Sequence, residues 1–162
     1  MNIRFAERKD LPELVEIYNQ AIAAQSTAAL EQVSLENRLS WFQTHQGGRY
    51  PIRVAEWNGG VRGYLYLSAY RPGREALKQT AEVSYYVHFD HHRKGVASAL
   101  LRDCIERCPG SGIKNVFAIL LENNGASIAL LKSFGFEQWA HLPEIAKIDG
   151  NEVGQVYFGR KV

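Results

Sequence analysis

Residues Glu82 to Ala97 read Glu-Val-Ser-Tyr-Tyr-Val-His-Phe-Asp-His-His-Arg-Lys-Gly-Val-Ala, and this stretch decides the fold. Its first half alternates as a strand does. Thr80, Glu82, Ser84, Tyr86 and His88 fall on one face, and Ala81, Val83, Tyr85 and Val87 on the other. Its second half turns at Gly95 and enters a helix in which Val96, Leu100, Leu101, Cys104 and Ile105 recur at helical spacing. A turn rich in free N–H groups at a helix N-terminus is suited to a polyanion such as a pyrophosphate. Arg93 and Lys94 flank it, and cations at that end oppose the helix dipole unless an anion lies between them. Gly-Lys-Ser/Thr and Gly-x-Gly-x-x-Gly are both missing, which excludes a Walker loop and a dinucleotide fingerprint. Glu82, just upstream, is a candidate proton acceptor.

Working outward, Ile3 to Ala6 reads as a first strand. Asp10 reads as an N-cap, followed by Pro12 and the apolar stripe Leu11, Leu14, Val15 and Tyr18. A second helix starts near Ser34 and carries Leu35, Leu39 and Phe42. Ile52 to Trp57 and Val61 to Tyr70 form a hairpin across Asn58-Gly59-Gly60. The polar connection Arg71 to Gln79 is the long loop of the chain. Ile113 to Leu121 is a buried strand, Asn123 to Ser127 opens a last helix that stops at Gly135, and Glu137 to Leu142 and Glu152 to Gly159 are closing strands around Asp149-Gly150. The order β-α-α-β-β-β-α-β-α-β-β predicts one mixed α+β domain over residues 1–162.

The chain has 162 residues, 46% of them hydrophobic and 22% charged, with a formal net charge of +2, so any preference for anions is local rather than a nucleic-acid-binding surface. No apolar run approaches a membrane span, and Met1 to Phe5 has no apolar signal segment, so the expectation is a cytoplasmic protein without nucleic-acid or membrane partners. Cys104 and Cys108 read as buried reduced thiols on the helix stripe. His88, His91 and His92 sit at a strand end and turn without a geometric ligand set, so no metal is expected. Trp41, Trp57 and Trp139 read as core or interface residues.

The motif His92-Arg93-Lys94-Gly95-Val96-Ala97 resembles the acyl-CoA pyrophosphate loop of the GNAT superfamily of N-acetyltransferases, Gln/Arg-x-x-Gly-x-Gly/Ala. Asn124-x-x-Ser127, followed by Phe134-Gly135-Phe136, resembles the second CoA-binding segment, and the element order matches over nearly the whole chain. Within the superfamily the chain looks like the phosphinothricin and methionine sulfoximine acetyltransferases, through Ile17-Tyr18-Asn19, Tyr50-Pro51-Ile52, Arg71-Pro72 and Thr80-x-Glu82-x-Ser84-x-Tyr86-Val87. The resemblance implies a twisted, mostly antiparallel sheet of about seven strands flanked by about four helices. It implies acetyl-CoA as co-substrate, held by Tyr85, Tyr86, Val87, His92, Arg93, Lys94, Gly95, Val96, Ala97, Asn124, Ser127 and Ser133. It implies a small amino-acid-like amine bound through Arg71, Arg74 and Lys78, and a homodimer with the substrate pocket near its interface.

Aminolysis of a thioester needs a neutral amine, and an α-amino group has a pKa of about 8, so a base is useful near neutral pH. Glu82 is placed for that work; its structural alternative is an ion pair with Arg71, Arg74 or Lys78. A backbone N–H near Tyr86 or Val87 is expected to polarise the thioester carbonyl. Asn124 serves the cofactor, a helix cap, or both, and Ser127 is read chiefly as a first-turn structural residue. Leu131 occupies the position where the superfamily often carries a Tyr, and this subfamily a His, that protonates the leaving thiolate; Tyr86 or a water is the substitute. His92 replaces the usual Gln or Arg, Leu30 replaces an aromatic pocket residue, and the subfamily's Gly-x-Trp-x-Asp is altered around Gly150 to Gln155. The rival activities are acetylation of a peptide N-terminus or another small amine. The rival outside enzymes is an acyl-CoA-binding module.

Overall fold

The computed structural model describes residues 1–162. The strands are β1 (Asn2–Phe5), β2 (Arg53–Trp57), β3 (Gly60–Ala69), β4 (Thr80–Val87), β5 (Asn115–Leu121), β6 (Glu137–Ile148) and β7 (Asn151–Lys161). The helices are α1 (Leu11–Ala23), α2 (Leu35–Thr44), α3 (Val96–Arg107) and α4 (Gly125–Ser133). The strands form one sheet in the order β1-β2-β3-β4-β5-β7-β6. Every pairing is antiparallel except β4 with β5.

The predicted period-2 and period-3.6 patterns sort onto the two faces of this sheet. Ala81 and Val83 of β4 pack with Val96, Leu100, Leu101 and Cys104 of α3 and Leu131 of α4. Tyr64 of β3 packs with Leu11, Leu14 and Ile17 of α1 and Phe42 of α2, and Tyr86 of β4 lies against this second cluster. Cys104 and Cys108 are buried and free, at the base of α3. The face of β4 that carries Glu82 therefore looks toward α1 and α2, and the face that carries Tyr85 toward α3 and α4.

Three local expectations change. Asp10 precedes α1 but its side chain does not cap it; it takes Arg4 instead, at 2.7 and 2.9 Å, and accepts the Glu7 N–H at 2.8 Å. A guanidinium one strand away outcompetes the helix N–H groups because the pair is charge-assisted and bidentate. β5 begins at Asn115 rather than Ile113, whose N–H is turned back to the Cys108 carbonyl. β6 runs on to Ile148, because two register shifts against β7, at Gln138/Ala140 and Leu142/Ala146, let it pass Pro143 and continue.

The start of α3 is held very close to the sheet. A β-carbon on Gly63 would lie 2.8 Å from Cγ1 of Val96 and 2.9 Å from the Tyr86 carbonyl oxygen, so only glycine allows the first residue of α3 to rest on β3. Farther along, Arg53 of β2 reaches Asp103 of α3 with two bonds of 2.9 and 3.1 Å, both groups being largely buried. The two contacts fix both the height and the rotation of α3. Replacing Gly63 with Ala is expected to lift the helix start, lowering stability by about 1–3 kcal/mol, the usual cost of overpacking. Thermal unfolding checks it, and an unchanged melting temperature would reject this role for Gly63.

Candidate active site

β4 and β5 are paired only at Thr80–Asn115, Ala81–Val116 and Glu82–Phe117, although β4 continues to Val87 and β5 to Leu121. Beyond Glu82 the strands diverge and leave a gap through the middle of the sheet. Backbone alternation shows which groups line it. Tyr70 N–H bonds the Thr80 carbonyl and His88 N–H bonds the Arg62 carbonyl, so Thr80, Glu82, Ser84, Tyr86 and His88 spend their main-chain groups on β3. Val83, Tyr85 and Val87 turn theirs the other way. On β5, Glu122 N–H to Gly154 and Val162 N–H to Lys114 commit the even-numbered residues to β7, so Ile119 and Leu121 face the gap. An N–H facing the gap is thus available from Tyr85 or Val87; that of Tyr86 faces β3.

The gap opens onto the turn before α3. Arg93 and Gly95 both adopt left-handed φ, +58° and +81°. None of the main-chain N–H groups from Arg93 to Ser98 has a protein acceptor; the first bond of the helix is Ala99 N–H to Gly95 C=O, and no side chain caps it. Buried or converging N–H groups left open in this way form an anion cradle at the positive end of the helix dipole. Arg93 and Lys94 are exposed beside it. His92 does not point into the cradle: its Nε2 lies 3.0 Å from the Val87 carbonyl, where it donates and closes the loop back onto the strand end. The ring of His92 lies edge-on to Phe89, and that of His91 lies edge-on to both Trp57 and His88.

Glu82 is half-buried, has no salt-bridge partner, and its carboxyl is pushed above the ordinary glutamate range by burial alone. The ion pair with Arg71, Arg74 or Lys78 is not formed. Lys78 pairs with Glu75 at 3.2 Å on the surface, and Arg71 and Arg74 are exposed on the loop. Around Glu82 the same face carries Phe117, stacked on Tyr157 at 5.9 Å and touched edge-on by Tyr70 at 5.0 Å. It also carries an aromatic cluster of Tyr18, Trp41, Tyr64, Tyr66 and Tyr86. Of these rings the sequence pattern groups only Tyr86 with Glu82, on one face of β4; it predicts Trp41 in the core or an interface and Tyr18 on the helix stripe.

Tyr86 does not suit the role of thiol acid. Its ring is locked between Tyr18 at 5.0 Å and Tyr64 at 5.3 Å, and burial together with the neighbouring phenols raises its pKa far above normal, with Thr27 as polar neighbour. Tyr85, on the opposite face, is different. Burial pushes its hydroxyl up to about 12, and although Ser127 stands beside it, no hydrogen bond of proper geometry joins the two. Leu131 is fully buried and packs in the same cluster that Tyr85 lies against.

Asn124 caps α4, accepting the Ser127 N–H at 3.2 Å, and its amide donates to the Ser26 carbonyl at 3.4 Å. Together with the Gln25–Asp149 contact and Asn19, which brackets both main-chain groups of Val33 at 2.9 Å, this ties the segment between α1 and α2 across α4 and the β6–β7 turn. Ser133 spends its hydroxyl on the Leu130 carbonyl at 2.6 Å, at the far end of α4. A 630 Å³ cleft lies elsewhere, among Arg49, Ile52, Leu67, Cys108 and Ser111, and shares no residue with the gap.

Residues 11–136 match the sequence profile of the acetyltransferase (GNAT) family. The L-methionine sulfoximine/L-methionine sulfone acetyltransferase of Salmonella typhimurium is 36% identical over 148 residues, 90% of this chain and 85% of that protein. A solved GNAT superfamily phosphinothricin acetyltransferase from Sinorhizobium meliloti, in complex with acetyl-CoA, superposes with a TM-score of 0.93 at 29% identity, covering 99% of this chain and 88% of the other. The ribosomal-protein-alanine N-acetyltransferase of Brucella melitensis superposes at 0.94 with 31% identity over the full length of both chains.

The burial of Glu82 has a sign that can be checked. A glutamate whose folded pKa is raised binds its proton more tightly when folded, so it costs stability as pH rises from the unfolded to the raised folded pKa. Glu82→Gln should therefore unfold at a higher temperature than wild type at neutral pH, with the gap closing below the unfolded glutamate pKa. Thermal melts at pH 4 and pH 7.5 read this. A lower melting temperature for the variant at pH 7.5 would show that the carboxylate is stabilised by a partner.

Proposed function

We infer one reaction from a single premise: this chain belongs to the GNAT acetyltransferase family. It transfers the acetyl group of acetyl-CoA to the α-amine of a small amino-acid-like compound, of the phosphinothricin and methionine sulfoximine kind. The observation that carries this is the coincidence of the open gap, the uncapped cradle at Arg93–Ser98 and an unpaired carboxylate, Glu82, at the apex where β4 and β5 part. Relatives named for those substrates, and a superposable structure that holds acetyl-CoA, support the choice of donor and acceptor.

In this reading the cradle and its flanking cations take the pyrophosphate, and the pantetheine runs down the gap along Val87 and Tyr85. The thioester carbonyl accepts the N–H of Tyr85 or Val87. Glu82, its proton affinity raised by burial, removes a proton, directly or through water, from the substrate ammonium and leaves a neutral amine. That nitrogen attacks the carbonyl carbon, charge builds on oxygen beside the main-chain donor, the C–S bond breaks, and the nitrogen releases its second proton to solvent. The thiolate takes a proton from Tyr85, whose hydroxyl is buried, protonated at neutral pH and free of another acceptor. Solvent returns the proton from Glu82 to Tyr85. Arg71 and Arg74, unpaired on the loop beside the Glu82 end of β4, are the substrate clamp; Lys78 contributes less because Glu75 holds it. Holding amine and thioester together lowers the barrier by several kcal/mol, on the order of 7–11 in well-oriented cases.

The reading includes a cytoplasmic homodimer. Leu30, two-thirds exposed at 66% on the segment between α1 and α2, supports a partner contact near the pocket. Light scattering tests that part. The Brucella relative's name favours one alternative, the α-amine of a protein N-terminus, which differs only in what lies beyond the amine.

A thiol-release assay with acetyl-CoA should give turnover with methionine sulfone or phosphinothricin and little with a peptide beginning in alanine; the reverse preference would select the alternative. CoA binding without turnover of any amine would reject catalysis altogether. Glu82→Gln is expected to lower kcat about 10²–10⁴-fold near neutral pH. Tyr85→Phe should lower kcat about tenfold or more with KM for the amine unchanged. It should also weaken binding of CoA more than of desulfo-CoA, and equal affinities for the two would remove Tyr85 from the mechanism.

A further inference from the structure

Five arginines of this chain are not exposed: Arg4, Arg38, Arg53, Arg62 and Arg160. Four of them donate to the protein. Arg4 reaches Asp10, Arg53 reaches Asp103, Arg62 reaches the Trp57 carbonyl and Arg160 the Phe134 carbonyl. Arg38 alone makes no ion pair and no hydrogen bond. It stands on α2 with its guanidinium 4.0 Å from the centroid of the Tyr18 ring and 4.9 Å from that of Trp41.

Ring faces attract a cation but accept none of the five N–H bonds of a guanidinium. None of its nitrogens is sealed from solvent, so the open donors are free to take an acceptor from outside the chain. The surroundings say where that acceptor would sit. Trp41 contacts Tyr66 at 5.1 Å, Tyr66 is paired across the sheet with Ser84, and Ser84 lies between Glu82 and Tyr86 on the same face. Burial sets the Tyr66 hydroxyl high, Ser84 beside it lowers it, and Arg38 and Glu82 act on it with opposite sign. Arg38 and Glu82 thus flank one aromatic cluster on the same face of the sheet.

We propose that Arg38 is a specificity-determining residue whose guanidinium holds a charged or strongly polarised oxygen of the amine substrate, while the amine faces Glu82. The oxygen is the α-carboxylate or a phosphinyl or sulfonyl oxygen of the side chain, both being planar or tetrahedral acceptors that a guanidinium fork can take. This rests on the reading of an amino-acid-like acceptor. It adds a contact that the loop residues Arg71, Arg74 and Lys78 do not provide, because it lies under the aromatic cluster rather than on the exposed loop. Tyr18 and Trp41 hold the fork in place before substrate arrives, which limits the rotamer entropy lost on binding.

Wild type, Arg38→Gln and Arg38→Lys are compared with L-methionine sulfone, its carboxamide and L-norleucine at saturating acetyl-CoA. Thiol release gives KM and kcat, and calorimetry gives the binding of L-methionine sulfone to CoA-loaded protein. Arg38→Gln should raise KM for L-methionine sulfone about 10- to 100-fold, the worth of one charge-assisted pair, with KM for acetyl-CoA unchanged and part of the loss recovered by Lys. If the effect vanishes with the carboxamide, the carboxylate is the oxygen held; if it vanishes with norleucine, the sulfonyl oxygen is. The same effect on all three amines would overturn the proposal, as would an unchanged KM with a lowered melting temperature, since Arg38 would then only staple α1 to α2. Should wild type turn over no amino acid, the amino-acid reading fails by itself. Calorimetry then decides for Arg38, and binding of the sulfone that is absent or indifferent to Arg38→Gln overturns the proposal.

Discussion

The parting of β4 from β5 is the constraint on which the rest of this molecule depends. A parallel pair inside a sheet ordinarily continues until one strand ends, because each unpaired main-chain group in the interior is costly. Here the ladder stops after Glu82–Phe117 while both strands go on. The even residues of β4 remain tied to β3 and the even residues of β5 to β7, so neither strand frays. The cost is concentrated in one file of groups around Tyr85 and Ile119, since His92 takes the Val87 carbonyl and the Asn124 N–H takes that of Leu121. In the proposed reading a pantetheine chain, extended and with alternating donors and acceptors, satisfies that file as a missing strand would. Helix placement follows from the same break: α3 leaves β4 at the mouth of the gap, and the absence of a β-carbon at Gly63 lets its uncapped start settle there.

Much of this was legible in the chain because periodicity and punctuation report local physics. The alternation from Thr80 to His88 correctly divided β4 between its two faces, and the Gly95 turn identified the helix start that has no cap. Resemblance supplied the donor. What the sequence could not show is which side chains find one another across strands. Asp10 has a cap's composition and position, yet Arg4, an independent charge on β1, claims it. Tyr86 and Tyr85 are adjacent and chemically alike, and only the fold separates a phenol wedged among other phenols from one left without an acceptor beside Ser127. Arg38 has no motif at all. Its signal is a missing partner, which becomes visible only when the other arginines that are not exposed have been accounted for in three dimensions.

Burial also explains why the two faces of β4 divide the chemistry. On the α3 and α4 face the gap is lined by Tyr85 and by apolar side chains such as Val83 and Leu131, suited to excluding water from a thioester. On the α1 and α2 face Glu82 and Arg38 are charges that the protein itself does not neutralise. Leaving either one half-buried and unpaired is unfavourable in the free enzyme, and it is retained where a ligand completes it. An acceptor that brings an amine to Glu82 and an oxygen acceptor to Arg38 pairs both at once; one that brings only the amine leaves the guanidinium unanswered. Discrimination then comes from the difference between those two cases, as it does wherever a site built to bond an oxygen meets an analogue that lacks it. Under the proposed reaction, a simple alkylamine would reach Glu82 and still be a poor substrate.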